Sequence, residues 1–267
     1  MLVKTFDGIN LYYEKNCVDN PKATIVIVHG LCENLTRYDS FVKVLNDNDY
    51  NVYRFDHRGH GRSEGKRGHI KSFKDIIKDI DLFVEMSRTE YPNIKHFLMG
   101  HSMGGFSVNA YGVTHSEKLD GIVSSAAPGI IMKMTKPLTF LPWKLIGWID
   151  MKNDLGGKLS HDKKVEEDYI ASPLNLMKYK IRLAGTMFLE GVKYIHANMD
   201  KFNCPVIYLH GKDDLIVEVE SSEWLYDNNP VLDKQIVIYE GMYHEILNEI
   251  DKDMVIEDIL YWLNNHL

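Results

Sequence analysis

Six short runs, at residues 24–28, 51–55, 96–99, 121–123, 206–209 and 236–239, are mostly apolar and rich in β-branched and aromatic side chains. None shows the clean polar alternation of a half-solvated strand, so each is expected to be a strand covered on both faces. Upstream, alternating runs at 2–6 and 10–14 flank Asp7-Gly8-Ile9 and predict a hairpin. Between the runs the apolar spacing changes to that of a helix. The clearest case starts after Ser72, an N-cap that Asp75 would complete as a capping box. It places Phe73, Ile76, Ile77, Ile80, Phe83 and Val84 on one side and stops at Pro92. Strands alternating with helices imply a mostly parallel sheet with helices on both faces, and sites in such sheets form at the carboxyl ends of the strands.

The alternation fails over residues 128–198, a stretch rich in Lys, Met, Trp and Tyr with no distinct β-run. It is expected to be a helical cap inserted into a core made of residues 1–127 and 199–267. Its most apolar part, 130–149, carries Lys133, Lys136, Lys144, Pro137 and Pro142, too many interruptions for a membrane span.

Composition narrows the function classes. The 267 residues are 45% hydrophobic and 26% charged, enough apolar material for one large core. A net charge of −7 gives no basic stripe for nucleic acid. Cys17, Cys32 and Cys204 are odd in number and form no CxxC pair, which argues against a disulfide framework or structural zinc. With no apolar leader after Met1, a cytoplasmic protein is expected.

The chemistry is expected after the third apolar run. Gly100-His101-Ser102-Met103-Gly104 fits G-x-S-x-G, with a strand before it and a helix-compatible segment at 106–114. The glycines allow a sharp strand-to-helix turn that lifts the serine hydroxyl clear of the sheet, and the N–H of Met103 would face a developing oxyanion. A serine nucleophile needs a base and an orienting acid, in the order Ser, Asp or Glu, His. Of the histidines after Ser102, only His244 lies in a loop just past the last strand. Asp213 and Asp214 are adjacent candidates for the acid. The loop after residues 24–28 would supply a second oxyanion donor, the N–H of Leu31, with His29 shaping that loop. Asp56-His57-Arg58-Gly59-His60 has histidines but no further ligand cluster, so no metal and no cofactor are expected.

His29-Gly30-x-x-Glu33-x-x-x-Arg37-Tyr38, Asp56-His57-Arg58-Gly59-His60-Gly61-Arg62-Ser63-Glu64-Gly65, the Ser102 turn, Gly211-Lys212-Asp213-Asp214 and Glu240-Gly241-x-Tyr243-His244 occur in this order. Together they resemble the monoacylglycerol lipase and lysophospholipase group of the α/β-hydrolase fold, over nearly the whole chain except the cap. The resemblance implies Asp214 as the acid, and hydrolysis of a single-chain lipid ester with a small polar head. It also implies that Glu33 and Arg37 shape the polar end of the pocket, although an i,i+4 ion pair at a helix entrance is the plainer expectation. Cys32, where the group often has a small residue, reads as a packed hydrophobe. In the cap, Met132, Phe140 and Trp143 are expected to line an acyl pocket, while the lysine-bearing outer face is open to two readings, simple solvation or transient contact with a membrane or micelle. The rival readings are a general carboxylesterase acting on short-chain or aromatic esters and, after it, an acyltransferase, an aminopeptidase and a non-catalytic ligand receptor.

Overall fold

The computed structural model describes residues 1–154 and 156–267. Each of the six apolar runs forms a strand of the central sheet, and the N-terminal hairpin adds two more. In chain order these are β1 (Leu2–Lys4), β2 (Asn10–Asn16), β3 (Ala23–Val28), β4 (Tyr50–Phe55), β5 (Lys95–His101) and β6 (Gly121–Ser125). The segment expected to be the cap then contributes a separate ribbon, β7 (Asp150–Lys152) with β8 (Lys178–Lys180), before β9 (Val206–Gly211) and β10 (Lys234–Tyr239) complete the sheet. Its order is β1-β2-β4-β3-β5-β6-β9-β10, antiparallel at β1-β2 and β2-β4 and parallel from β4 onward.

Side-chain alternation sorts the strand residues between two cores. Val26, Val28, Leu98, Ile122 and Tyr208 face one side, and pack with α2 (Phe73–Glu90), α3 (Met103–His115) and the cap. Ile25, Ile27, Phe97, Met99, Val123, Ile207 and Leu209 face the other, toward α1 (Asp39–Asp47) and α8 (Lys252–Asn264). The strands are apolar throughout because both faces are covered. Each large side chain fully buried in this way stabilises by about 1.5–3 kcal/mol.

Ser72 caps α2 as expected, with its Oγ accepting from Lys74 N–H at 3.3 Å. The capping box does not form: Asp75 meets Ser72 through its backbone N–H. The helix ends at Glu90, ahead of Pro92.

The order in which strands are added reverses at β3, which has β4 on one side and β5 on the other. A crevice therefore opens beyond the carboxyl ends of β3 and β5, where open α/β sheets bind ligands. Over this edge lies the segment between β6 and β9. It holds the β7-β8 ribbon, α4 (Lys163–Ala171), and a helical run from α5 (Ile181–Ala184) through a π-helical stretch (Gly185–Gly191) to α6 (Val192–Asn198). The ribbon is an addition to the all-helical cap expected from sequence. Strands of three residues are too short to show as a β-run. The chain closes with α7 (Glu220–Asn228), β10 and α8. Among the described residues, no helix is long and apolar enough to cross a membrane.

Candidate active site

The turn from β5 into α3 holds Ser102 at φ 55°, ψ −118°, a backbone region that few non-glycine residues occupy. Close packing leaves this turn no side-chain room. A Cβ on Gly104 would lie 2.0 Å from the carbonyl oxygen of Val28, and one on Gly100 2.2 Å from that of Gly104. Ser102 N–H donates to Ser125 O at 2.9 Å, and Ser102 O accepts from Phe106 N–H at 2.8 Å. The hydroxyl is thus presented at the start of α3.

The two loops that end β9 and β10 bring a carboxylate to an imidazole. His244 Nδ1–H donates to Asp214 Oδ2 at 2.6 Å. The other oxygen, Asp214 Oδ1, accepts from Ile216 N–H at 2.8 Å and Val217 N–H at 3.0 Å. Asp213 is exposed and meets the histidine loop only through its backbone N–H, which donates to Met242 O at 3.0 Å. Of the two adjacent candidates, it is Asp214 that the structure brings to His244. Burial alone would raise the Asp214 pKa, but the His244 and His210 imidazoles hold it far below the usual carboxylate range. His244 moves the other way: burial favours the neutral ring, and Asp214 outweighs it, so the pKa is raised.

Ser102 and His244 line one cavity of about 130 Å³. Among the described residues no hydrogen bond joins their side chains at rest. Such contacts are commonly loose without substrate. Leu31, in the loop after β3, lines the same cavity, and Met103 opens α3 beside it. Neither residue's N–H donates to another protein group among the described residues.

The loop carrying Leu31 is braced from behind. His29 Nδ1–H donates to Gly30 O at 2.8 Å, and its Nε2 accepts from His57 N–H at 2.9 Å. His29, His57 and His60 pack edge to face, and burial keeps them neutral, with His57 pushed down to about 3 and His60 to about 4. Asp56 accepts from Leu35 N–H and Arg62 N–H, while Arg58 forks onto Asp79 at 2.7 Å through two nitrogens. Among the described residues no three His, Cys, Asp or Glu side chains are grouped to hold a metal. Cys32 is buried at positive φ, and its carbonyl accepts from Leu176 N–H of the cap at 2.9 Å.

Glu33 and Arg37 do not form the i,i+4 pair. Glu33 precedes the N-cap of a 3-10 turn, Leu35–Tyr38, and its Oε2 accepts from Gly30 N–H and Tyr38 OH, each at 3.0 Å. Arg37 instead pairs with buried Glu245 and lies over the Tyr169 ring of the cap at 5.1 Å. Burial, together with the charge of Glu245, pushes the Glu33 pKa up to about 7. Glu33 lines the cavity; Arg37 does not.

The cap expectations divide. Met132 is buried and lines the cavity. Phe140 does not: the 3-10 turn Lys136–Phe140 buries Leu138 and leaves Phe140 84% exposed. Trp143 lies against Gly185, where a Cβ would sit 2.2 Å from the indole, and so fastens the cap to its own helical run instead of lining the cavity.

Several lining or supporting residues carried no sequence signal. Leu159, Tyr179, Phe188 and Val217 line the cavity from the cap and the acid loop. His210 Nε2 lies 3.0 Å from Asp214 Oδ2, with its Nδ1 2.7 Å from Ser222 Oγ, so it supports the acid from behind. His101 packs against the His244 ring at 4.7 Å. The position of His210 at a strand end, four residues before Asp214, was the one available hint.

A strained serine, an imidazole and a carboxylate at one sheet edge, beside unpaired backbone N–H groups, can perform nucleophilic acyl transfer. Comparisons with known proteins bear on the family to which the chain belongs. The chain is 28% identical over 266 residues to a monoacylglycerol lipase of Mycolicibacterium smegmatis, covering 97% of this chain and 95% of that one. It superposes on a monoacylglycerol lipase of Paleococcus ferrophilus with TM-score 0.86 and 31% identity, covering 96% and 99% of the two chains. For a soluble variant of the Saccharomyces cerevisiae monoglyceride lipase, solved with a substrate analog, the values are TM-score 0.89, 25% identity and 100% and 94% coverage. Residues 19–251 match the Hydrolase_4 family model, described as serine aminopeptidase, S33. On fold, site and match together, this chain belongs to that family of α/β-hydrolases.

Proposed function

We propose that the protein is a serine esterase that hydrolyses single-chain lipid esters, monoacylglycerol or lysophospholipid. The observation that carries this reading is the Asp214–His244 pair whose imidazole lines one mainly apolar cavity together with Ser102. Ser102 Oγ attacks the ester carbonyl carbon while His244 Nε2 takes the hydroxyl proton. The N–H groups of Leu31 and Met103 stabilise the oxyanion. Collapse breaks the bond to the alcohol, which leaves with the proton from His244. Water then gives its proton to His244 and attacks the acyl-enzyme, and loss of Ser102 Oγ, reprotonated by His244, frees the fatty acid. Asp214 holds the imidazole tautomer and stabilises the imidazolium without taking a proton.

Residues 128–198 act as the cap. A cavity of about 130 Å³ is small against the roughly 300–1,000 Å³ usual for ligand sites, so a lipid chain enters by displacing the cap. The cap's outer surface is suited to the source of such a chain. Phe140, Leu145 and Trp148 are 84%, 78% and 68% exposed, next to Lys136 and Lys144. This is an apolar face with basic flanks, which suits transient contact with an anionic membrane or micelle.

The family description favours peptide substrates as a second reading. An aminopeptidase needs a free carboxylate to hold the substrate's amino group. Glu33 is already engaged by Gly30 and Tyr38, and its raised pKa reduces its charge near neutrality. Labelling with a fluorophosphonate followed by peptide mapping should place the adduct on Ser102. An acyl-length series should peak at medium or long chains. Equal rates on acetate esters would indicate a general carboxylesterase, and faster cleavage of aminoacyl-arylamides a peptidase.

A further inference from the structure

One buried carboxylate between the histidine loop and the cap takes no part in the chemistry above. Glu249 follows the 3-10 turn Ile246–Asn248 that comes just after His244. Its Oε1 accepts from Tyr243 N–H at 2.7 Å and lies 3.1 Å from His161 Nδ1. Its Oε2 accepts from His161 N–H at 3.0 Å and lies 3.1 Å from Ser160 Oγ. Ser160 and His161 belong to the cap, and Tyr243 immediately precedes His244. On the other side of His244, Glu245 N–H donates to Leu159 O at 2.8 Å, and Leu159 lines the cavity. The His161 ring also lies over that of Tyr243, with centroids 3.8 Å apart. Both chain neighbours of His244 are thus tied to one strap of the cap, residues 159–161.

We infer that Glu249 is a positioning residue: by holding Tyr243 and the strap residues Ser160 and His161 on one carboxylate, it makes seating of the cap and placement of the His244 imidazole a single event. The inference rests on the reading of Ser102 and His244 given above. Glu249 is 3% exposed, so lifting the strap would strip donors from a carboxylate that little water can reach. Burial alone would raise its pKa, but the Tyr243 and His161 N–H groups outweigh this and keep it ionised. A cap displaced to admit lipid therefore also releases the loop that aims the base, and turnover waits for the cap to seat again.

The test uses a fluorophosphonate with only small alkyl groups, which reacts at Ser102 without a long chain to be admitted past the cap. Its rate should fall about tenfold or more in Glu249→Ala and about three- to tenfold in His161→Ala. The double variant should lose less than the product of the two, as for residues acting through one link. The His161 side chain is 40% exposed, so that variant keeps the measurement possible if Glu249→Ala folds poorly. Glu249→Gln, which retains an acceptor oxygen, should recover part of the rate. Strap variants that label at the wild-type rate, while KM for long-chain esters rises, would assign Glu249 to cap docking alone and overturn the inference. Wild-type protein that does not label at Ser102 would remove the triad reading, and the inference with it.

Discussion

At the scale of single residues, the site pairs opposed requirements. Ser102 works from a backbone conformation that glycine adopts more readily, and such strain costs about 1–3 kcal/mol. Ser102→Gly should therefore be inert yet more stable by about 1–2 kcal/mol, seen as a Tm higher by a few degrees. A Tm at or below wild type would mean that the turn stores no strain. His244 and Asp214 give the pH behaviour. A raised imidazole pKa means that the neutral base appears only as pH rises past the ordinary value of about 6.5, so kcat/KM should inflect above it. Asp214→Asn should move that inflection downward and cost about 10⁴-fold in kcat. Stability runs by the same linkage. The His244 contribution is full below about 6.5 and is lost as pH rises through the folded value. The Asp214 contribution is present above about 3.9 and is lost as pH falls below it.

At the scale of elements, how much was legible depended on how local each constraint is. The Ser102 turn could be read because its glycines are demanded by backbone contacts within one strand–turn–helix unit. Gly104→Ala should show this: its methyl would enter the space of the Val28 carbonyl, costing about 1–3 kcal/mol and displacing the turn, so melting and phosphonate labelling should both suffer. A variant as stable and reactive as wild type would refute the packing argument. The strands were legible from their apolar runs and His244 from chain order, whereas Asp214 needed motif resemblance to separate it from Asp213. The Glu33 and Arg37 pairing misled because spacing of four implies contact only inside a regular α-helix. Here Glu33 stands before the N-cap of a 3-10 turn, and Arg37 reaches Glu245. Phe140 and Trp143 misled because apolar residues in irregular chain carry no periodicity to tell inner from outer faces. Glu249 was invisible for a different reason: its partners at 160 and 161 are remote in sequence and follow no repeating pattern.

At the scale of the whole molecule, the exposed apolar face of the proposed cap is the part we propose to meet a membrane or micelle. Replacing Leu145 and Trp148 together by serine should weaken partition onto anionic vesicles about tenfold, measured by co-sedimentation, without changing hydrolysis of a soluble short-chain ester. Unchanged partition would place membrane contact elsewhere. The cap's place in the chain also bears on how the protein is made. It separates β6 from β9, its neighbour in the sheet. On the ribosome, β6 is therefore finished while the strand that must cover its open side is still to be synthesised. Until then it is a bare sheet margin with unpaired backbone groups, the kind that recruits other nascent chains. Every copy passes through this vulnerable interval. A message cut short within the cap should yield aggregates, and a prompt hand-off to a holdase should raise the yield of full-length protein.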